Sequence, residues 1–289
     1  MLQMEHVEAP RTNGSYLEEL DDRWNKEILT WAIPQNVVSK FQRPPFHLDP
    51  GTFAPRDQKV TDRRLEIIKD RVLAKKAADK KDKTPLTLID VGAGAGSSLA
   101  PIREPFSKIT CIEGAPHMAK ALRDNLALMY SDSSRYEVVE GIFPDIASTV
   151  RPASVVNCSN VVYNVVRLIP FLEALNDLAR DLVLLEATLR HPFYRSNPAF
   201  KYFWDLDRPN QPTAADIFEA TCALGFDPKF ESLPLDYRRS TMSIEAMATR
   251  LGLGEDRFEE LEQFMATSPT PENPSVIIWW EPPGNTMGD

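Results

Sequence analysis

After Pro85 the chain alternates short apolar runs with longer segments whose apolar residues recur at helical spacing. The runs Leu86–Val91, Lys108–Ile112, Tyr136–Glu140, Ser154–Cys158 and Asp181–Ala187 have the length and composition of strands. Between them, "APHMAKALRDNLALMY" and "RLIPFLEALNDLAR" read as helices. This order predicts βαβ units, right-handed crossovers and a parallel sheet. The helix "TAADIFEATCALGF" follows, with Thr213 as its expected N-cap. Two further strands, "PKFESLP" and "PSVIIWWEP", bracket helices at about Ser243–Leu253 and Glu255–Met265. The last strand, coming after that excursion, is expected to insert beside an existing strand, with an antiparallel direction open to it.

Upstream of Pro85 the pattern is helical only. Leu17, Leu20, Trp24, Ile28 and Trp31 share one face, and Pro34 ends that helix before a second begins. A proline-rich loop, "RPPFHLDPGTFAP", leads to a helix from about Thr61 to Ala78. The lysines of "KKAADKKDK" read as a solvated helix end; an anionic-substrate patch would want aromatics that are missing there. Residues 1–14 are expected to be loosely attached. The organisation is therefore a helical extension or cap over 1–84, then a core over 85–289 with a helical insertion at about 234–274.

Composition narrows the partners. The chain has 289 residues, 43% hydrophobic and 26% charged, as in ordinary soluble proteins. A net charge of −9 argues against nucleic acid as a partner while leaving a local basic patch open. Cys111, Cys158 and Cys222 stand far apart without zinc spacing, so no metal site is expected and a reducing compartment fits. The acidic N-terminal stretch is unlike a secretory signal, and no apolar run nears the roughly 20 residues of a membrane span. A cytoplasmic protein is the expectation.

The sharpest local feature is "LTLIDVGAGAGSSLAPI", in which Asp90, Gly92, Gly94 and Gly96 alternate with other residues at a strand end. Ligands of open α/β sheets bind there, and glycine admits both positive φ and close approach to the main chain. A phosphate loop would need a lysine after the last glycine, and Ser97 stands there instead. A dinucleotide fingerprint fits imperfectly, since Ser97 takes the place of its third small residue. Glu113 ends the second strand about 20 residues beyond the glycines, where a carboxylate can accept both ribose hydroxyls. It supports an adenosine ligand without deciding which.

The Asp90-x-Gly92-x-Gly94-x-Gly96 spacing with Glu113 resembles the first motifs of class I S-adenosylmethionine-dependent methyltransferases. The resemblance covers about Leu86 to Glu186 well and the last strands loosely. It implies a Rossmann-like α/β fold: a seven-stranded, mostly parallel sheet in the order 3-2-1-4-5-7-6, the seventh strand antiparallel, with helices on both faces. It implies S-adenosylmethionine as cofactor and S-adenosylhomocysteine as product. Asp90, Gly92, Gly94 and Gly96 would hold the amino-acid end and Glu113 the ribose, with Ala93, Gly114 and Ser159 as further cofactor-binding candidates. Met118 would lie beneath the adenine or serve as plain core. Many members carry an Asp for the adenine after the third strand. This chain has Ile142 and Phe143, leaving backbone groups and the phenyl face for that contact. Pro101 and Pro105 should make the helix after the glycines short or kinked.

Methyl transfer from a sulfonium is mainly alignment, so few catalytic residues are needed. Ser159, Asn160 and Tyr163 follow the fourth strand beside the expected methyl position. After the fifth come Glu186, Arg190, a clamp for an acidic acceptor or a partner for Glu186, and His191, either a general base or a structural loop histidine. The aromatics Trp24, Trp31, Phe193, Tyr194, Tyr202, Phe203 and Trp204 either line an acceptor pocket or pack the cap on the sheet. The Asn/Asp-Pro-Pro-Tyr/Phe and Pro-Cys signatures of base methylation are absent. A small-molecule acceptor is the leading expectation. A methyltransferase for a protein or ribosomal component, a non-enzymatic cofactor binder and an NAD-dependent oxidoreductase are the alternatives.

Overall fold

The computed structural model describes residues 14–43, 58–79, 81–234 and 242–283. Seven strands form its sheet: β1 (Thr87–Val91), β2 (Lys108–Glu113), β3 (Tyr136–Glu140), β4 (Ala153–Ser159), β5 (Ala179–Thr188), β6 (Lys229–Leu233) and β7 (Ser275–Trp280). Their order is β3-β2-β1-β4-β5-β7-β6. β7 runs antiparallel to both β5 and β6, and the pairings among β1 to β5 are parallel. Every residue of β4 and β7 is buried, which is why those strands read as continuous apolar runs: both faces are covered.

One face carries α1 (Gly14–Leu29), then, after the short α2 (Gln35–Val38), α6 (Leu168–Leu178) and α8 (Ala214–Ala223). Trp24, Trp31, Phe171 and Ile217 share a buried cluster there with Val156, Val183 and Trp280. Against the other face lie α3 (Gln58–Ile68), a π-helical turn over Lys69–Leu73, α4 (Ala74–Ala78) and α5 (Pro116–Met129). A third cluster unites α7 (Asn197–Trp204), α9 (Ile244–Leu251) and α10 (Phe258–Thr267) through Phe200, Phe203, Met247 and Leu261. Pro34 caps α2, separated from α1 as expected. Thr213 caps α8, its N–H and hydroxyl both donating to Asp216 Oδ2, at 2.7 and 2.9 Å.

Three expectations need correction. No helix follows the glycines: Ala100 N–H donates to Gly96 O, and the next bonds, Ile102 to Leu99 and Phe106 to Arg103, are three-residue turns. Pro101 and Pro105 bring no N–H to a ladder, and Leu99, Ile102 and Phe106 bury their side chains from turns instead. The helix expected from Thr61 starts at Gln58 and is interrupted by the π turn. The aromatic stretch after β5 contains α7, unforeseen as a helix; Pro198 sits in its first turn, where a missing N–H costs nothing. The lysine run meets acids, with Lys75 on Glu281 and Lys76 2.6 Å from Asp82. Residues 1–13 and 44–57, holding most of the segment expected to be loose and of the proline-rich loop, lie outside the described residues. Among the described residues no helix is long and apolar enough to cross a membrane, and no group of three His, Cys, Asp or Glu could hold a metal.

Candidate active site

Gly92, Gly94 and Gly96 all adopt left-handed φ, at +64°, +57° and +88°. A side chain there is strained by conformation alone. At Gly92 it is also blocked: a Cβ would lie 2.4 Å from Val161 Cγ2. At Gly94 the nearest atom to such a Cβ is the Met118 methyl, 3.6 Å away, with Met118 itself buried beneath the turn. The turn faces a carboxylate. Gly94 N–H donates to Glu113 Oε2 and Ala115 N–H to Glu113 Oε1, each at 2.8 Å. Both oxygens keep further lone pairs. Beyond them Gly141 N–H donates to Glu113 O at 3.1 Å, and Ile142 Cγ1 stands 3.5 Å from where a Cβ on the exposed Gly114 would be. Ile142 is 67% exposed, whereas Phe143 sets its ring edge-on to Phe171 at 5.4 Å. The tips of β1, β2 and β3 thus make one rim of main chain, carboxylate and exposed Ile142.

Beneath this rim runs a buried polar network that sequence reasoning missed in part. Asn157, opposite Asp90 in the register, donates from Nδ2 to Asp90 Oδ1 at 2.5 Å. Ser98 reaches the other oxygen at 3.5 Å, and Ser159 Oγ lies 3.4 Å from the Asn157 amide. Arg64, fully buried on α3, donates to Asn157 Oδ1 at 2.7 Å and stands 3.4 Å from Glu186 Oε2. Glu186 Oε1 in turn accepts from Asn160 Nδ2 at 3.3 Å. One guanidinium, supplied by α3, therefore faces the Glu186 carboxylate of β5 and holds the Asn157 amide of β4, which in turn bonds the Asp90 carboxylate of β1. Its sequence signal was an arginine on the apolar face of a helix, between Val60 and Ile67.

The catalytic candidates divide. Asn160 is exposed just past β4 with φ +58°, and its N–H donates to Glu186 O at 2.7 Å. Tyr163 is buried and donates its hydroxyl to Thr188 O at 2.8 Å; burial raises its pKa well above the phenolic range. His191 is buried and stacks on Trp31, ring centroids 4.1 Å apart, while its Nδ1 accepts from Phe193 N–H at 3.2 Å. Burial first, then the charges of Arg208 and Arg250, push its pKa down to about 3. Near neutral pH it is an uncharged imidazole of low basicity. Tyr163 and His191 are neighbours, with centroids 5.5 Å apart. Arg190 lies 4.9 Å over the Tyr194 ring, while the Glu186 carboxylate faces Arg64. Trp24 and Trp31 are buried and donate to Val165 O and Gln211 O, so packing accounts for both.

No protein-family model matches the chain, and no curated protein matches it. Solved structures do. Precorrin-6y C5,15-methyltransferase from Geobacter metallireducens is 14% identical, with a TM-score of 0.47 over 82% of this chain and 99% of that one. Precorrin 8w decarboxylase from Methanobacterium thermoautotrophicum is 15% identical, with a TM-score of 0.45 over 86% and 99%. The plantazolicin methyltransferase BpumL, solved with S-adenosylhomocysteine (SAH) and a substrate analogue, is 12% identical, with a TM-score of 0.43 over 93% and 98%. Such identities speak of architecture and not of activity. By its own strand order and its one antiparallel strand, the chain has the Rossmann-like fold of class I methyltransferases.

Proposed function

We propose that this protein is an S-adenosylmethionine-dependent methyltransferase acting on a small-molecule acceptor. The observation that carries the reading is a turn of three left-handed glycines, 2.8 Å from a carboxylate at the next strand's tip, with no helix behind it. A helix N-terminus bears roughly half a positive charge and favours phosphates. Its absence takes away the usual anchor of a dinucleotide's pyrophosphate, and a sulfonium loses a repulsive neighbour.

The residues fit the cofactor. Gly92, Ala93, Gly94 and Gly96 would admit its amino-acid end, above the buried Asp90 carboxylate. Glu113 would accept the ribose hydroxyls through the lone pairs that its two backbone bonds leave. Gly114, Ile142, Phe143 and Met118 would border the adenine. When bound, the cofactor supplies a methyl group already activated by a positive sulfur. Ser159 and Asn160 would face the methyl position, Asn160 being the catalytic candidate at the exposed rim. Tyr163, its hydroxyl committed to the backbone, and His191, uncharged and stacked, would shape the acceptor side as positioning groups. The acidic chain supports a small acceptor over a polyanionic one.

Calorimetry with S-adenosylmethionine, SAH and NAD tests this directly. Micromolar binding of both sulfur nucleosides is expected; NAD binding with neither of them overturns the reading. Glu113→Ala should weaken SAH binding by roughly 1–3 kcal/mol, and unchanged affinity removes Glu113 from the site. Incubation of metabolite fractions with labelled methyl donor then identifies the acceptor.

A further inference from the structure

Two arginines flank His191 without acidic company. Arg208, from the stretch after α7, places its guanidinium carbon 5.3 Å from the Trp31 ring and 4.9 Å from Phe200. Arg250, from α9, lies 4.7 Å over Phe193. Trp31 and Phe193 are two of the three rings beside His191, with centroids 4.1 and 5.2 Å away, so the cations stand behind its aromatic neighbours. Their hydrogen bonds among the described residues are few for groups with five N–H donors each: Arg208 Nη2 to Trp31 O at 2.7 Å, and Arg250 Nη1 to Ser196 Oγ at 3.3 Å. The buried Arg208 Nε has no hydrogen-bond partner among the described residues.

Several other arginines of this acidic chain meet carboxylates, although Arg135, Arg180 and Arg190 instead bond carbonyls and hydroxyls or lie over rings. Arg23 meets Asp216 and Glu219, Arg43 meets Glu245 and Glu255, and Arg63 meets Glu231. Among the described residues no carboxylate forms an ion pair with Arg208 or Arg250. Burial depresses both from the usual arginine value to about 10, and Arg195 adds like charge beside Arg250. Partly desolvated cations without counter-charge are costly to hold. Stacking on aromatic faces offsets some of that and fixes the planar forks for bidentate recognition.

We propose that Arg208 and Arg250 form the binding site for an anionic, oxygen-terminated group, a carboxylate or a phosphate, on the molecule this protein methylates. The inference rests on the methyltransferase reading only in calling that molecule the acceptor. His191, between the aromatic partners of the two cations, follows the end of β5, and the parallel β1, β4 and β5 put that end on the same edge of the sheet as the glycine turn.

The test uses the full chain. Thermal unfolding is followed while inorganic phosphate or succinate is titrated against sodium chloride of equal ionic strength, with and without SAH. One of the two anions should raise the midpoint saturably in the wild type and raise the imidazole pKa of His191, read by NMR, as it cancels the neighbouring positive field. In Arg208→Gln/Arg250→Gln the apparent affinity should fall by roughly tenfold or more. If that double variant does not fold, the single Arg208→Lys and Arg250→Lys variants, which keep the charge and lose the fork, should each weaken the same anion. A wild type that treats both anions as it treats chloride overturns the proposal, as does a variant that responds like the wild type. Which anion acts separates carboxylate from phosphate. Calorimetry with SAH on the same samples separates the two readings. SAH binding without an anion response sinks this site alone. An anion response without SAH binding leaves the site and sinks the methyltransferase reading.

Discussion

The two halves of the sheet's carboxyl edge are built by opposite means. At the tips of β1, β2 and β3 the surface is mostly bare main chain, drawn from one short stretch, with the Glu113 carboxylate across from it. Past β5 it is side chains and rings, gathered from Trp31, His191, Phe193, Arg208 and Arg250, with a surplus of cations. A site made of backbone must be spelled in glycine. A site made of side chains can be dispersed through the chain, because the fold does the gathering. Arg64 lies beneath both, touching Asn157 under the glycine turn and Glu186 at the end of β5.

The largest test asks whether the halves are coupled through that guanidinium. Arg64→Met takes the guanidinium from the buried Glu186 carboxylate and from the Asn157 amide that holds Asp90, and should cost about 3–5 kcal/mol in denaturant unfolding, with weaker SAH binding. A loss below about 1 kcal/mol would mean the halves stand independently. Within the backbone-built half, Gly92→Ala should cost about 1–2 kcal/mol for its left-handed φ, and more for displacing Val161. Adding Val161→Ala should return part of that; strictly additive losses would show the contact to be unimportant.

The side-chain half carries a pH signature of its own. His191 titrates near 3 in the folded protein, below its ordinary 6.5. Above pH 6.5 neither state holds the proton and its full contribution to stability is present. Below 6.5 the unfolded chain takes up a proton that the folded protein refuses until near 3. Stability should therefore fall by about 1.4 kcal/mol per pH unit, or about 2 kcal/mol at pH 5. Subtracting the profile of His191→Gln isolates this slope, and identical profiles would place the imidazole in water. The smallest effect belongs to the helix that closes this half. Thr213→Ala should cost about 1 kcal/mol by removing the α8 cap, and SAH affinity should not move.

Much of the architecture was legible because it obeys short-range rules. Most of the strands announce themselves as apolar runs, β6 being a short mixed stretch between helices, and Thr213 marks a helix start ahead of an apolar-periodic segment. The glycine turn was legible for the reason already given. What escaped depends on distance. Two prolines suggested a damaged helix after β1, yet only packing could decide that turns bury Leu99, Ile102 and Phe106 well enough to replace it. In α7 the aromatics drew the eye from the helical spacing of Ala199, Phe200 and Phe203. Arg64 carries its meaning only through Asn157 and Glu186, which the fold brings to it from the sheet's centre.

The π turn over Lys69–Leu73 has a consequence for the lineage of this chain. An α-helix advances about 100° per residue, so deleting one residue there would swing the upstream face by nearly a third of a revolution relative to the downstream one. Arg64 and Val72, both now turned inward, could not then both stay so. Descendants that tighten this turn must forfeit either the cation under the sheet's carboxyl edge or the apolar side chain about two turns later. A relative that keeps both should carry the same one-residue surplus, a spacing that can be sought from sequence alone.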